Sequence, residues 1–97
     1  MKELEDLTEA ERVILLASCD ANRFSLNSHV QLETITRRIK GLSGKYVKKV
    51  IKLLLSNGFI RLHPVGRSKK TYQLNRKGLN AGTQIRDELI SNRNASN

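Results

Sequence analysis

The sequence predicts a mainly α-helical domain with one small β-hairpin, in the order helix, helix, helix, strand, basic turn, strand, helix. Three observations lead there. Apolar residues recur at spacings of three and four as far as Asn57-Gly58, the mark of helices with one buried face. Beyond that glycine the pattern alternates, as a half-buried strand does. The positive charge is concentrated where the third helix and the hairpin are expected. Ninety-seven residues suffice for one domain, 1–97, with its core over 8–90 and a polar tail, 91–97, that is expected to fray.

The first helix is announced by Thr8 and Glu11, a capping box in which each side chain satisfies a backbone N–H at the other position. Val13, Ile14, Leu16 and Ala17 are expected to form its buried side, and it fades near Asp20 to Asn22. Arg23 to Ser28 reads as a connection, followed by a short strand around His29 and Val30. Leu32, Ile35 and Ile39 carry a second helix over Leu32 to Ile39, stopped by Lys40-Gly41, where glycine adopts the left-handed cap. Ser43 caps the third helix, which runs from about Gly44 to Asn57 and ends on Gly58. Phe59 to His63 and Thr71 to Leu74 are the two strands, joined by a turn over Pro64 to Lys70. Asn75 caps a final helix reaching about Ile90, with Leu79, Ile85, Leu89 and Ile90 roughly on one side.

Charge is the strongest global signal. The chain carries net +9, which calls for a polyanionic partner. From Thr34 to Ile85 there are thirteen Lys and Arg residues and no Asp or Glu, whereas five of the nine acids lie within the first eleven positions. A surface built only for solubility mixes the signs.

The third helix concentrates this signal. At ~100° per residue, Val47, Val50, Ile51, Leu54 and Leu55 form a core stripe, and Lys45, Lys48, Lys49 and Lys52 share an opposite arc of about 100°. Lys45 with Lys49 and Lys48 with Lys52 are like-charge i,i+4 pairs, each destabilising an isolated helix by ~0.2–0.5 kcal/mol. A lysine face can be solvation only. The absence of any acid, the tight Gly-containing turn before it and the basic hairpin after it favour a binding role. Arg67, Lys69 and Lys70 occupy the hairpin tip, where long cationic side chains either reach phosphates or a minor groove or only keep the tip soluble. Arg37, Arg38 and Lys40 either extend this surface or are ordinary surface charge.

Glu33-Thr34-Ile35-Thr36-Arg37-Arg38-Ile39, Leu42-Ser43, Val47 to Leu55 and Asn57-Gly58-Phe59-Ile60 together resemble the helix-turn-helix of winged-helix transcription regulators. Tyr72-Gln73-Leu74-Asn75-Arg76-Lys77-Gly78 is similar to the wing-exit pattern Y-x-L-T-x-K-G of MarR-type and related archaeal and bacterial regulators. The resemblance spans about Thr8 to Ile90, although Gly66 stands before Arg67 where MarR-type wings often carry an acid. It implies a winged helix-turn-helix: a three-helix core, a two-stranded wing over 64–70 and a C-terminal helix. It also implies a recognition helix, about 43–57, that enters the major groove of double-stranded DNA. Ser43, Lys45, Tyr46, Lys48, Lys49 and Lys52 would then lie near bases or phosphates, flanked by Arg37, Arg38, Arg67, Lys69 and Lys70. Tyr46 is open to two roles, a base or phosphate contact and packing at the edge of the stripe. Leu89 and Ile90, with the first helix, are candidates for a homodimer interface or for intramolecular core.

Other classes fit less well. His29 and His63 are the only histidines, and His29 with Glu33 makes two ligands at best, too few for a metal site. No Gly-rich phosphate loop is present. No enzymatic activity, metal or cofactor is expected, and His63 reads as a surface residue. Cys19, the sole cysteine, is a buried structural thiol or a reactive one, its apolar helical run favouring the first. No signal peptide or membrane-spanning run is recognisable, so a cytoplasmic protein is expected. A protein-interaction module in a larger transcription assembly and an RNA-binding protein remain as alternatives, the latter short of exposed aromatic stacking platforms.

Overall fold

The computed structural model describes residues 1–65 and 69–95. A single 3-10 turn, Leu4–Asp6, leads into α1 (Glu9–Ala21), α2 (Leu32–Thr36) and α3 (Gly44–Ser56). The antiparallel hairpin of β1 (Ile60–Val65) and β2 (Lys69–Leu74) follows, and α4 (Arg76–Ala95) comes last. The architecture is the expected one, mainly helical with a two-stranded hairpin.

α1 packs against α2, α3 and α4 and so occupies the middle of the molecule. Its capping box forms, with Thr8 Oγ1 accepting from Glu11 N at 3.2 Å and Glu11 Oε1 accepting from Thr8 N at 2.9 Å. A cap of this kind is worth ~1 kcal/mol. Packing against those three helices sets the face turned inward, which runs through Glu11, Ile14, Leu15 and Ser18. Val13 therefore points outward, 47% exposed, against expectation, and Leu15 takes its place in the core. Ile14, Leu15, Ile35, Ile51, Leu54, Phe59 and Leu74 form the centre of the core. Each large aliphatic side chain so enclosed contributes ~1.5–3 kcal/mol.

α2 is a single turn and a half, ending at Thr36 rather than Ile39. Thr34, Ile35 and Thr36 are β-branched, and Thr36 Oγ1 donates to Glu33 O at 3.1 Å, so the segment tightens into i→i+3 turns through Ile39. α3 ends in a Schellman motif. Gly58, at φ 79°, donates to Leu55 O, and Phe59 N donates to Leu54 O at 3.0 Å. Phe59 is thereby held in the core, and β1 starts one residue later than expected. β1 and β2 extend further toward the tip than the alternation indicates, with Val65 opposite Lys69. Gly66, Arg67 and Ser68 of the expected turn lie outside the described residues, as do Ser96 and Asn97.

The strand expected at His29 and Val30 is a single bridge. Val30 N donates to Tyr72 O at 3.1 Å and Tyr72 N donates to Val30 O at 2.7 Å. His63 is not a free surface residue. Its ring stacks on His29, centroids 4.3 Å apart, and clamps the same connection to the hairpin.

α4 closes on Phe59, just before β1, and on α1 at two glycines. A Cβ on Gly78 would overlap the Phe59 carbonyl, and one on Gly82 would overlap Cys19 Sγ. Cys19 is enclosed there, its thiol donating to Gly78 O at 3.5 Å and pushed up to about 12 by burial. It is the structural thiol of the two readings. α4 continues to Ala95, where the polar composition from Ser91 predicts fraying. No Gly or Pro interrupts it after Gly82, and Gln84 Nε2 donates to Glu88 Oε1 at i,i+4. Among the described residues no helix is long and apolar enough to cross a membrane.

Candidate nucleic-acid interface

Ser43 sets the site. Its Oγ accepts from Tyr46 N at 3.1 Å, capping α3 and leaving the N–H groups of Gly44 and Lys45 at the positive end of the helix dipole. Gly44 is open, with no atom beyond its chain neighbours and its own helix backbone within 4 Å of where a Cβ would stand, so the backbone can be approached closely. Below this end Val47, Val50, Ile51 and Leu54 are buried, which forces the opposite side outward.

That side carries Lys45, Lys48, Lys49 and Lys52, all exposed. With Ser43 and Tyr46 they line a shallow open groove of about 570 Å³. None of the four lysines has an ion-pair partner among the described residues. Four of the nine acids pair elsewhere, in Lys2–Glu11, Asp20–Arg38, Glu3–Lys77 and Arg86–Asp87. Tyr46 takes the packing role of the two considered for it, and it also borders the groove. It is half-buried between the two.

The other expected residues divide. Arg37 is exposed at the end of α2. Arg38 turns away from the lysines, its Nε donating to Asp20 Oδ2 on α1 at 2.9 Å and its Nη1 to Thr34 O at 3.0 Å. Its charge is balanced there, an outcome fixed by the fold bringing the end of α2 beside the end of α1. Lys70 is exposed on β2, opposite Pro64. Lys69 is the first residue of β2, and Arg67 lies outside the described residues.

Arg61 was not anticipated. It is exposed on β1, and its Nε donates to Gln73 Oε1 at 3.0 Å, while Gln73 Nε2 donates to Leu26 O. The alternation of Ile60 in and Arg61 out is the signal that would have found it. Gln73 and the Val30 bridge fasten β2 to the α1–α2 connection, so the hairpin is held at its base on the side facing that connection.

The arrangement offers a row of cations, a helix N-terminus and a hydroxyl, which together suit phosphate oxygens. No group of three or more His, Cys, Asp and Glu is placed to hold a metal among the described residues. No protein-family model, curated protein or solved structure matches the chain.

Proposed function

We propose that this is a winged helix-turn-helix protein that binds double-stranded DNA and regulates transcription, with α3 in the major groove and the hairpin as the wing. A cytoplasmic location and a non-enzymatic role belong to the same reading. The observation that carries it is the exposed row Lys45, Lys48, Lys49 and Lys52, without an acidic partner among the described residues, beside the open N-terminus of α3. Further support comes from the element order and from the Val30–Tyr72 bridge, which fixes the hairpin against the helical body.

Lysines make point-charge contacts to phosphates, so much of the affinity is independent of sequence and sensitive to salt. Ser43 and Tyr46 add hydroxyl groups suited to hydrogen bonds with base edges or phosphates. An interaction-module role has one observation in its favour, the half-exposed Val13, Leu89 and Ile90. It leaves the lysine row without a purpose.

Titration against random-sequence duplex DNA and matched single-stranded RNA tests the reading. Duplex affinity is expected to fall by ~10³–10⁵ between about 50 and 200 mM salt if six to ten phosphates are contacted. Absence of duplex binding by the folded protein at low salt overturns it, and tighter binding to the RNA reassigns the face to RNA.

A further inference from the structure

We infer that the stacked rings of His29 and His63 form a pH-sensitive latch between the hairpin and the connection that joins α1 to α2. The latch holds while at least one ring is neutral and opens when both carry a proton. Its use, changing how the hairpin stands beside α3, rests on the DNA-binding reading; the latch itself does not.

The first observation is placement. Ile60 and its partner Leu74 face the core, so by alternation Arg61 and His63, with Gln73 and Thr71 opposite them, lie on the outer face of the hairpin. His29 precedes Val30, which bridges to Tyr72 on the edge of β2 away from β1. The two rings therefore come from the two sides of β2. They meet with centroids 4.3 Å apart and 20° between their planes. Thr71, on the strand between them, is buried, and its Oγ1 donates to His63 O.

The second observation is how little else fastens this edge. Among the described residues, hydrogen bonds join the connection to the hairpin at two places, the Val30–Tyr72 bridge and the bond from Gln73 Nε2 to Leu26 O. The stack lies one residue nearer the tip than the bridge, at the end of the attachment. Opening it exposes the bridge, a single pair of backbone bonds, to fraying.

The third observation is that no acid neutralises the pair. His29 is exposed and His63 half-buried, so protons reach both rings. Neither ring has an ion-pair partner among the described residues. Of the charged groups on the elements that meet here, Arg61 shares the outer face of β1 and is turned to Gln73. Lys70 and the titratable Tyr72 lie on the inner face of β2, and Lys69 begins that strand two positions before Thr71. Arg23 belongs to the connection, and Glu33, in the first turn of α2, pairs with neither ring. Imidazole takes up its proton near about pH 6.5. One protonated ring can still stack on a neutral one. Two set like charges 4.3 Å apart, on a chain of net +9. Double charging thus opposes the closed form, so the hold is present above about pH 6.5 and is lost as pH falls below it.

Amide hydrogen exchange of the full chain without DNA is the test, read as protection factors so that the intrinsic pH dependence of exchange cancels. Protection of the Val30 and Tyr72 amides should fall by about tenfold or more between about pH 7.5 and pH 5, while the buried amides of α1 and α3 keep theirs. His29→Phe retains a stacked ring and removes one of the two charges, so its protection should stay level over the same range. Circular dichroism checks that the variant is folded, and His63→Phe serves if His29→Phe disturbs the connection. Wild-type protection that does not change with pH overturns the proposal, as does a fall of equal size in the Phe variants. A short random duplex separates the two readings. A latch that opens in a chain unable to bind it defeats the DNA reading alone, and a chain that binds it with Val30 and Tyr72 unmoved by pH defeats only the latch.

Discussion

Lysine appears in two opposed settings in this molecule, the outward row on α3 and the seam where the N-terminus, the end of α3 and the start of α4 meet. At the seam, Lys77 Nζ donates to Lys2 O at 2.6 Å, to Asn57 O at 2.9 Å and to Glu3 Oε2 at 3.1 Å. It also lies 4.5 Å from the centroid of the Phe59 ring. An ammonium has three protons to give, and here all three are used inside the protein. Lys48 and Lys49 have no such partners among the described residues. One residue type thus acts as an internal tie where carbonyls converge on it, and as an open contact where the helix faces only its own like charges.

The largest effect should come from reversing the open row. Lys48→Glu with Lys49→Glu is expected to weaken duplex binding by about 10³-fold at moderate salt, equivalent to ~4 kcal/mol, while the chain melts no earlier than wild type. Affinity within tenfold of wild type would mean that the row is solvation. At the seam the expectation is reversed. Lys77→Met should cost ~2 kcal/mol in denaturant unfolding by leaving the Lys2 and Asn57 carbonyls without their donor, with DNA affinity per folded molecule little changed. Unaltered stability would break the contrast.

A smaller effect tests how tightly the seam closes over Cys19. Burial holds its thiol protonated to about pH 12, against an ordinary value of 9.0. Between these values the unfolded chain loses the proton and the folded chain keeps it. This contribution is therefore intact below about pH 9 and is lost as pH rises toward 12, by at most ~1.4 kcal/mol per pH unit. Wild type should lose more stability than Cys19→Ala between pH 8 and 10.5, as read from paired denaturation curves; parallel losses would show that water reaches the thiol.

What could be read from the sequence follows the range of the forces involved. The Thr8–Glu11 box, the Ser43 cap and the Gly58 stop are local, and α1 and α3 appear where those signals place them. The stripe of α3 is strongly one-sided, so its lysine row was legible to the residue. Elements decided by distant partners were not. Val13 and Leu15 exchange roles because packing against α2, α3 and α4 sets the rotation of α1. The ion pair between Arg38 and Asp20 joins positions 18 apart. Nothing local to Lys77 marks it as an internal tie, because its partners are contributed by residues 2, 3 and 57. The roles of Gly78 and Gly82 depend equally on contacts with Phe59 and Cys19 that spacing does not reveal.

The separation of charge along this chain also acts before anything is touched. With the acids confined to Glu3–Glu33 and Asp87–Glu88, the molecule is an electric dipole as well as a cation. Near a polyanion it experiences a torque that turns α3 forward, so a collision begun in the wrong orientation is corrected in flight and the association rate rises above that of an evenly charged protein. The Debye length is ~8 Å at physiological ionic strength, so this turning happens within the last nanometre of approach. Added salt shortens that distance, and the rate of capture falls with it.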